Sequence, residues 1–128
     1  MNLNIHGTTS SPEIEADWEN GVLAMRGDSY PENSYEFYGR VLEWVERYLA
    51  SSGRPLQLEL RLMYLNTSSI KVMMDLFDRL EDVHQSGRSV RVTWYYDPRN
   101  ERVAELADEF REDCSFPFDI TAGAALPV

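Results

Sequence analysis

The sequence has one cysteine, Cys114, in 128 residues, so it cannot close a disulfide within itself. A secreted chain of this size more often carries paired cysteines. Cations are also scarce, with 12 Lys plus Arg against 22 Asp plus Glu and a formal charge of -10. Those few are scattered among acids, as in Glu43-Trp44-Val45-Glu46-Arg47 and Asp108-Glu109-Phe110-Arg111-Glu112. A phosphate backbone or an anionic membrane would be repelled, which argues against nucleic acid as a partner. The first residues, Met1 to Gly7, have neither the basic start nor the apolar run of a signal peptide. No apolar run approaches the roughly 20 residues that cross a bilayer, so no membrane insertion is expected and a cytoplasmic protein follows.

Chemical motifs are missing too. There is no glycine-rich phosphate loop and no Ser/His/Asp arrangement. His6 and His84 have no metal-ligand spacing with each other or with Cys114. Acidic neighbours in Glu112-Asp113-Cys114-Ser115 disfavour a thiolate, so a partly buried thiol is expected and not a nucleophile. The expectation is a protein without catalytic residues, metal or cofactor. An enzyme using paired carboxylates would be the rival reading, but no pair stands out from 22 scattered acids.

What is present is an ordinary globular composition, 43% hydrophobic and 27% charged. At this length one core serves one domain, residues 1–128. Ile14–Trp18 and Val22–Arg26 read as two strands around Glu19-Asn20-Gly21, because Asn-Gly accepts the positive φ of a hairpin turn. Phe37, Val41, Trp44, Val45, Tyr48 and Leu49 recur at helical spacing until Ser51-Ser52-Gly53. Leu56, Leu58, Leu60 and Leu62 then alternate with Gln57, Glu59 and Arg61, the period of a strand with one buried face.

A second helix is predicted from Ile70, Met73, Met74, Phe77, Leu80 and Val83, ending at Gln85-Ser86-Gly87. Val90, Val92, Trp94 and Tyr96 give another strand, Asp97-Pro98-Arg99-Asn100 a turn, and Val103, Leu106, Ala107 and Phe110 a third helix. Phe116–Ile120 can form a last edge strand, and residues 121–128 are expected to be a loosely held tail. The order implies an α/β fold, a mixed sheet with parallel βαβ units and helices packed mainly on one face.

The informative segment is Leu65-Asn66-Thr67-Ser68-Ser69, where a buried strand hands over to a helix through four small polar side chains. The first N–H groups of a helix lack internal partners, so an anion is favoured there. Asn66, Thr67 or Ser68 would equally serve as a plain N-cap, and pattern alone leaves both readings open. Gly27 to Glu36 is rich in turn formers and ends at a helix start. Asn33 or Ser34 can cap that helix, and Tyr30, Pro31, Glu32, Asn33 and Tyr35 would suit a partner surface.

The strand, then Asn66-Thr67-Ser68-Ser69, then an amphipathic helix resembles the phosphorylatable loop of STAS domains, the anti-sigma-factor-antagonist fold, whose usual motif is Asp-Ser-Ser-Gly. Asn66 replaces Asp and Ser69 replaces Gly. Gly27-Asp28-Ser29-Tyr30-Pro31-Glu32-Asn33-Ser34-Tyr35-Glu36 and Tyr64-Leu65-Asn66-Thr67-Ser68-Ser69 resemble more closely the SiaC-type biofilm-regulation phosphoproteins, over nearly the whole chain from Gly7 to Phe118. That resemblance implies a STAS-like fold and a phosphorylation switch with the acceptor hydroxyl on Thr67. It implies a histidine-kinase-like Ser/Thr kinase that adds the phosphate and a PP2C-type phosphatase that removes it. It further implies that the unphosphorylated form binds and activates a diguanylate cyclase. The partner contact would fall on Tyr30 to Asn33, Tyr35 and Leu65 to Ser69. The alternative is an anti-sigma-factor antagonist in a partner-switching pathway.

Overall fold

The computed structural model describes residues 1–123. Nine elements follow one another: β1 (Leu3–Ile5), β2 (Glu13–Asp17), β3 (Val22–Ser29), α1 (Ser34–Ser51), β4 (Leu56–Leu65), α2 (Thr67–Gln85), β5 (Val90–Tyr96), α3 (Glu101–Glu112) and β6 (Phe118–Ala122). The six strands form one sheet in the order β1-β2-β3-β4-β5-β6. The first two pairings are antiparallel and the other three parallel.

That order fixes where the helices lie. Each crossover from β3 onward moves one strand in the same direction, and right-handed connections then place all three helices on one face. Burial agrees with this along every strand. Leu56, Leu58, Leu60 and Leu62 of β4 are at most 1% exposed, while Gln57, Glu59 and Arg61 between them are half-buried on the other face. Leu58 lies between Leu23 and Val92 in register, and Leu60 between Met25 and Trp94, so the covered face is a continuous apolar layer. On the open face Arg61 stands over the Tyr95 ring at 4.3 Å. A pairing of that kind suits a wet surface, because the cation keeps its hydration while the ring is shielded.

The β2–β3 connection shows why glycine follows Asn20. Gly21 has φ 65°, and a Cβ there would run into the carbonyl oxygen of Pro55 and the hydroxyl of Tyr48. Tyr48 itself donates to that carbonyl at 2.8 Å, tying α1 to the start of β4.

Three features differ from the sequence expectation. The sheet begins with β1, a strand of three residues paired to β2, where the sequence suggested only a hairpin. A strand that short has too few positions to display a period. The strand β4 continues to Leu65 through a bulge: Gly27 pairs with Leu62 and Asp28 with Tyr64, leaving Met63 as the extra residue. Strand β6 starts at Phe118 and runs through Thr121 and Ala122, into the segment expected to be a loose tail. Residues 124–128 of that tail lie outside the described residues.

Candidate functional site

Strands β3, β4 and β5 all end at the same edge of the sheet, where each turns into a helix. The carboxyl end of a parallel sheet is where such folds commonly place their working residues. All three helices are capped there by asparagine. Asn33, Asn66 and Asn100 accept from the N–H of Glu36, Ser69 and Val103 at 3.1, 2.9 and 3.4 Å. Each cap satisfies one of the orphan donors at its helix start, which is worth about 1 kcal/mol.

Thr67 is the first residue of α2 and is exposed. Its hydroxyl has no hydrogen-bond partner among the described residues, nor have the N–H groups of Thr67 and Ser68. The first turn of α2 contains no acid. The positive end of the helix dipole and two free donors therefore stand beside one accessible hydroxyl, with no acid in the helix's own first turn to neutralise them.

The residues around Thr67 divide by depth. Ser69 is 0% exposed, and its hydroxyl lies 2.8 Å from Ser29 Oγ and 3.2 Å from Ser34 Oγ while reaching the Ser29 carbonyl at 3.1 Å. Tyr38 OH lies 2.7 Å from Ser29 Oγ, and Ser68 Oγ lies 2.8 Å from Ser34 Oγ. Asn66 N–H donates to the Ser29 carbonyl at 2.9 Å. The end of β3, the start of α1 and the Asn66 loop are thus joined by a buried net of hydroxyls. Burial raises the Tyr38 phenol to about 12, against the opposing effect of its bond to Ser29.

The bulge decides what reaches the surface. By inserting Met63 it leaves Met63 and Tyr64 both 54% exposed, and returns Leu65 to the helix-covered side at 6%. Asn100 donates from its side-chain amide to the Met63 carbonyl at 3.2 Å, so the cap of α3 also holds the bulge. Tyr64 meets Tyr30 edge-on with ring centres 5.9 Å apart. Tyr35 donates to Asp75 at 3.1 Å, bringing α1 against α2. Tyr30 and Tyr35, at 44% and 48%, complete an exposed aromatic rim.

Of the residues predicted from sequence, Tyr30, Glu32, Asn33, Tyr35 and Thr67 are exposed, and Pro31, Asn66 and Ser68 half-buried, all at this one end. Leu65 and Ser69 are buried, so they hold the loop from beneath and present no side chain to a partner. Ser69 is correspondingly closed to phosphate, although it belongs to the four small polar residues that the sequence offers together. Met63, Ser29 and Tyr38 were not among the expected site residues. A bulge leaves no mark in the alternation of Leu56 to Leu62, and hydroxyl pairs 40 residues apart have no local signature. Ser34 was expected only as a cap; Asn33 takes that role and leaves Ser34 for the buried net.

Elsewhere, Cys114 is half-buried and its thiol is pushed up to about 11, first by burial and then by Glu81, Asp113 and Asp78. No helix among the described residues is long and apolar enough to cross a membrane.

Comparison with known proteins finds relatives along nearly the whole chain. The model of the SiaC family regulatory phosphoproteins matches residues 5–123. An uncharacterized protein of Pseudomonas aeruginosa (strain UCBPP-PA14) is 67% identical over 120 residues, covering 94% of this chain and 95% of that protein. The crystal structure of the diguanylate cyclase SiaD in complex with its activator SiaC from Pseudomonas aeruginosa is similar with a TM-score of 0.92 and 66% identity, over 94% of this chain and 99% of that one. The crystal structure of apo-SiaC from the same organism is similar with a TM-score of 0.92 and 64% identity, over 95% and 99%.

Proposed function

The chain belongs to the SiaC family of regulatory phosphoproteins, and on that premise we propose that it binds and activates a diguanylate cyclase when unmodified and is switched off by phosphate on Thr67. The observation that carries the reading is the exposed Thr67 hydroxyl on the first residue of α2, beside two unpartnered N–H groups in a first turn without acid. The similarity to the activator in the SiaD complex supports the cyclase as partner.

The switch follows from electrostatics. A phosphate brings roughly -1.5 to -2 charges and three strong acceptor oxygens. At Thr67 it is stabilised by the helix start within its own chain. A partner fitted against a neutral hydroxyl and the Tyr30, Tyr64 rim would have to bury that charge without a counter-ion, and desolvating it costs more than the about 1.4 kcal/mol that separates a tenfold change in affinity. Phosphate would be added by a histidine-kinase-like Ser/Thr kinase and removed by a PP2C-type phosphatase.

The test is cyclic di-GMP production by a purified diguanylate cyclase from the same genome, with the chain unmodified and enzymatically phosphorylated, after phosphopeptide mapping. Activation by the unmodified form alone, with phosphate found on Thr67, is expected. Equal activation by both forms, or phosphate found only at a residue other than Thr67, would overturn the switch.

A further inference from the structure

Cations are few in this chain, and most are already engaged. Arg26, Arg47, Arg79, Arg99 and Arg111 each lie in an ion pair. Arg54 and Arg88 donate to backbone carbonyls, and Arg61 covers the Tyr95 ring. Lys71 is different. It is the only lysine in the sequence, it is exposed on α2, and among the described residues it has no ion pair.

Its place on the helix is a poor one for a lone cation. Lys71 sits just past the first turn of α2, near the end where the dipole disfavours positive charge. Helices α1 and α3 carry Glu36 and Glu101 in their first turns, whereas α2 has no acid there. Asp75 lies four residues after Lys71, in the weaker order of base before acid, and already accepts from Tyr35 at 3.1 Å. Thr67 lies four residues before Lys71, so the two exposed side chains leave the same side of α2 on successive turns. An acid four residues N-terminal to a lysine is the favoured order of a helical ion pair.

We propose that Lys71 is the basic half of an i, i+4 pair whose acidic half is supplied by phosphorylation of Thr67, so that Lys71 holds the phosphate against its own helix. The proposal rests on the reading that Thr67 is the modified residue. With the ammonium on one side and the free N–H groups of the helix start on the other, the phosphate is fixed in direction on an otherwise exposed side chain. One lysine offsets only part of its roughly -1.5 to -2 charges, so the modified end still turns an anion towards a partner. Arg102, the second residue of α3 at the same end of the sheet, is the rival counter-ion, but Glu101 precedes it in the same turn.

The test uses the full chain with phosphothreonine installed at residue 67 during translation, so that no variant has to be a kinase substrate. Phosphorus NMR follows the second ionisation of the phosphate, and thermal melts compare each phosphorylated protein with its unmodified form. The variants are Lys71→Gln, Lys71→Arg and Arg102→Gln, all at exposed positions where folded proteins are expected. Lys71→Gln should raise the titration midpoint by about 0.3 pH over the phosphorylated parent, as the loss of one exposed i, i+4 pair implies, with Lys71→Arg and Arg102→Gln within about 0.1 of it. The rise should vanish in about 1 M salt. A merely structural lysine would shift the melting of modified and unmodified chains alike and leave the midpoint in place. Cyclase activation by the same proteins separates the two claims. A phosphorylated parent that still activates the cyclase would overturn the switch at Thr67 and the role of Lys71 with it. An inactive phosphorylated parent, with a midpoint that Lys71→Gln does not move or that Arg102→Gln moves further, would overturn the pair alone.

Discussion

Helices α2 and α3 start in the same way and are finished differently. Both leave the carboxyl end of a parallel strand, and both are capped by an asparagine that accepts from the third helical N–H. In α3 the residue after the cap is Glu101, an acid in the first turn, and the third residue is Val103, buried and apolar. In α2 those positions are Thr67, with no acid in the turn, and Ser69, buried and polar. The start of α3 is electrostatically complete. That of α2 is left open above and tied down below by hydroxyls, which is what a site for an added phosphate needs: a free positive end on a backbone that does not shift.

The largest effect should come from making the lower half of α2 resemble α3. Ser69→Val exchanges the hydroxyl that bonds both Ser29 and Ser34 for a methyl group and adds one further methyl group at a fully buried position. Ser29 and Ser34 keep Tyr38 and Ser68 as partners, so the cost is that of the buried hydrogen bonds lost, about 0.5–1.5 kcal/mol each, plus the strain of the larger side chain, and a loss of about 2–3 kcal/mol is expected by urea denaturation. Val103→Ser, which puts an unpartnered hydroxyl into an apolar setting, tests the same contrast from the other side. Second is the upper half: Thr67→Asp should weaken binding to the cyclase more than tenfold, about 1.4 kcal/mol or more, while Thr67→Ala keeps most of it. Calorimetry on folded proteins decides; parent-like affinity of Thr67→Asp would call for the enzymatically phosphorylated form.

Much of this contrast was legible in the sequence. The period-2 run Leu56 to Leu62 and the stripe Ile70 to Val83 place the strand and the helix, so Thr67 had to lie at their junction. The helix-covered face of the sheet was readable for the same reason. The resemblance in Gly27 to Glu36 and Tyr64 to Ser69 then supplied the family, which residue patterns could not. The depth of each side chain was not legible. Ser68 and Ser69 are adjacent and alike in sequence, yet one is half-buried and the other closed off, because the bulge at Met63 and the partners Ser29 and Ser34 decide the matter from far away in the chain. Asn66 as the cap was one of three open candidates; only the bond to the N–H of Ser69 distinguishes it.

Next in size is the hydroxyl net seen through Tyr38. With its folded value raised to about 12 from an ordinary value of 10, Tyr38 contributes stability that is complete below pH 10 and is lost as pH rises through 10 towards 12. Tyr38→Phe should cost about 1 kcal/mol at neutral pH, the worth of one buried hydrogen bond, and should shrink the fall in stability between pH 10 and 12. Denaturation at pH 7, 10 and 11.5 measures both. An unchanged alkaline slope in the variant would mean that Tyr38 is not the group being titrated.

The smallest effect is the most direct test of the comparison itself, an exchange of the first helical residues between the two helices. Thr67→Glu gives α2 the acid that α3 already has, and Glu101→Thr takes it from α3. A carboxylate beside a helix start is worth about 0.3–1 kcal/mol when exposed, so the first variant should melt higher and the second lower, each by roughly 1–4 °C for a chain of this size. Both caps, Asn66 and Asn100, are untouched, so the change reports charge at the helix end and not the loss of a bond. Salt separates it from packing: the screening length falls from about 10 Å at 0.1 M to about 3 Å at 1 M, and both shifts should shrink together. A Thr67→Glu protein that melts lower than its parent, or a shift that survives 1 M salt, would mean that the start of α2 is not an unfilled positive end, and the argument for phosphate at Thr67 would lose its electrostatic ground.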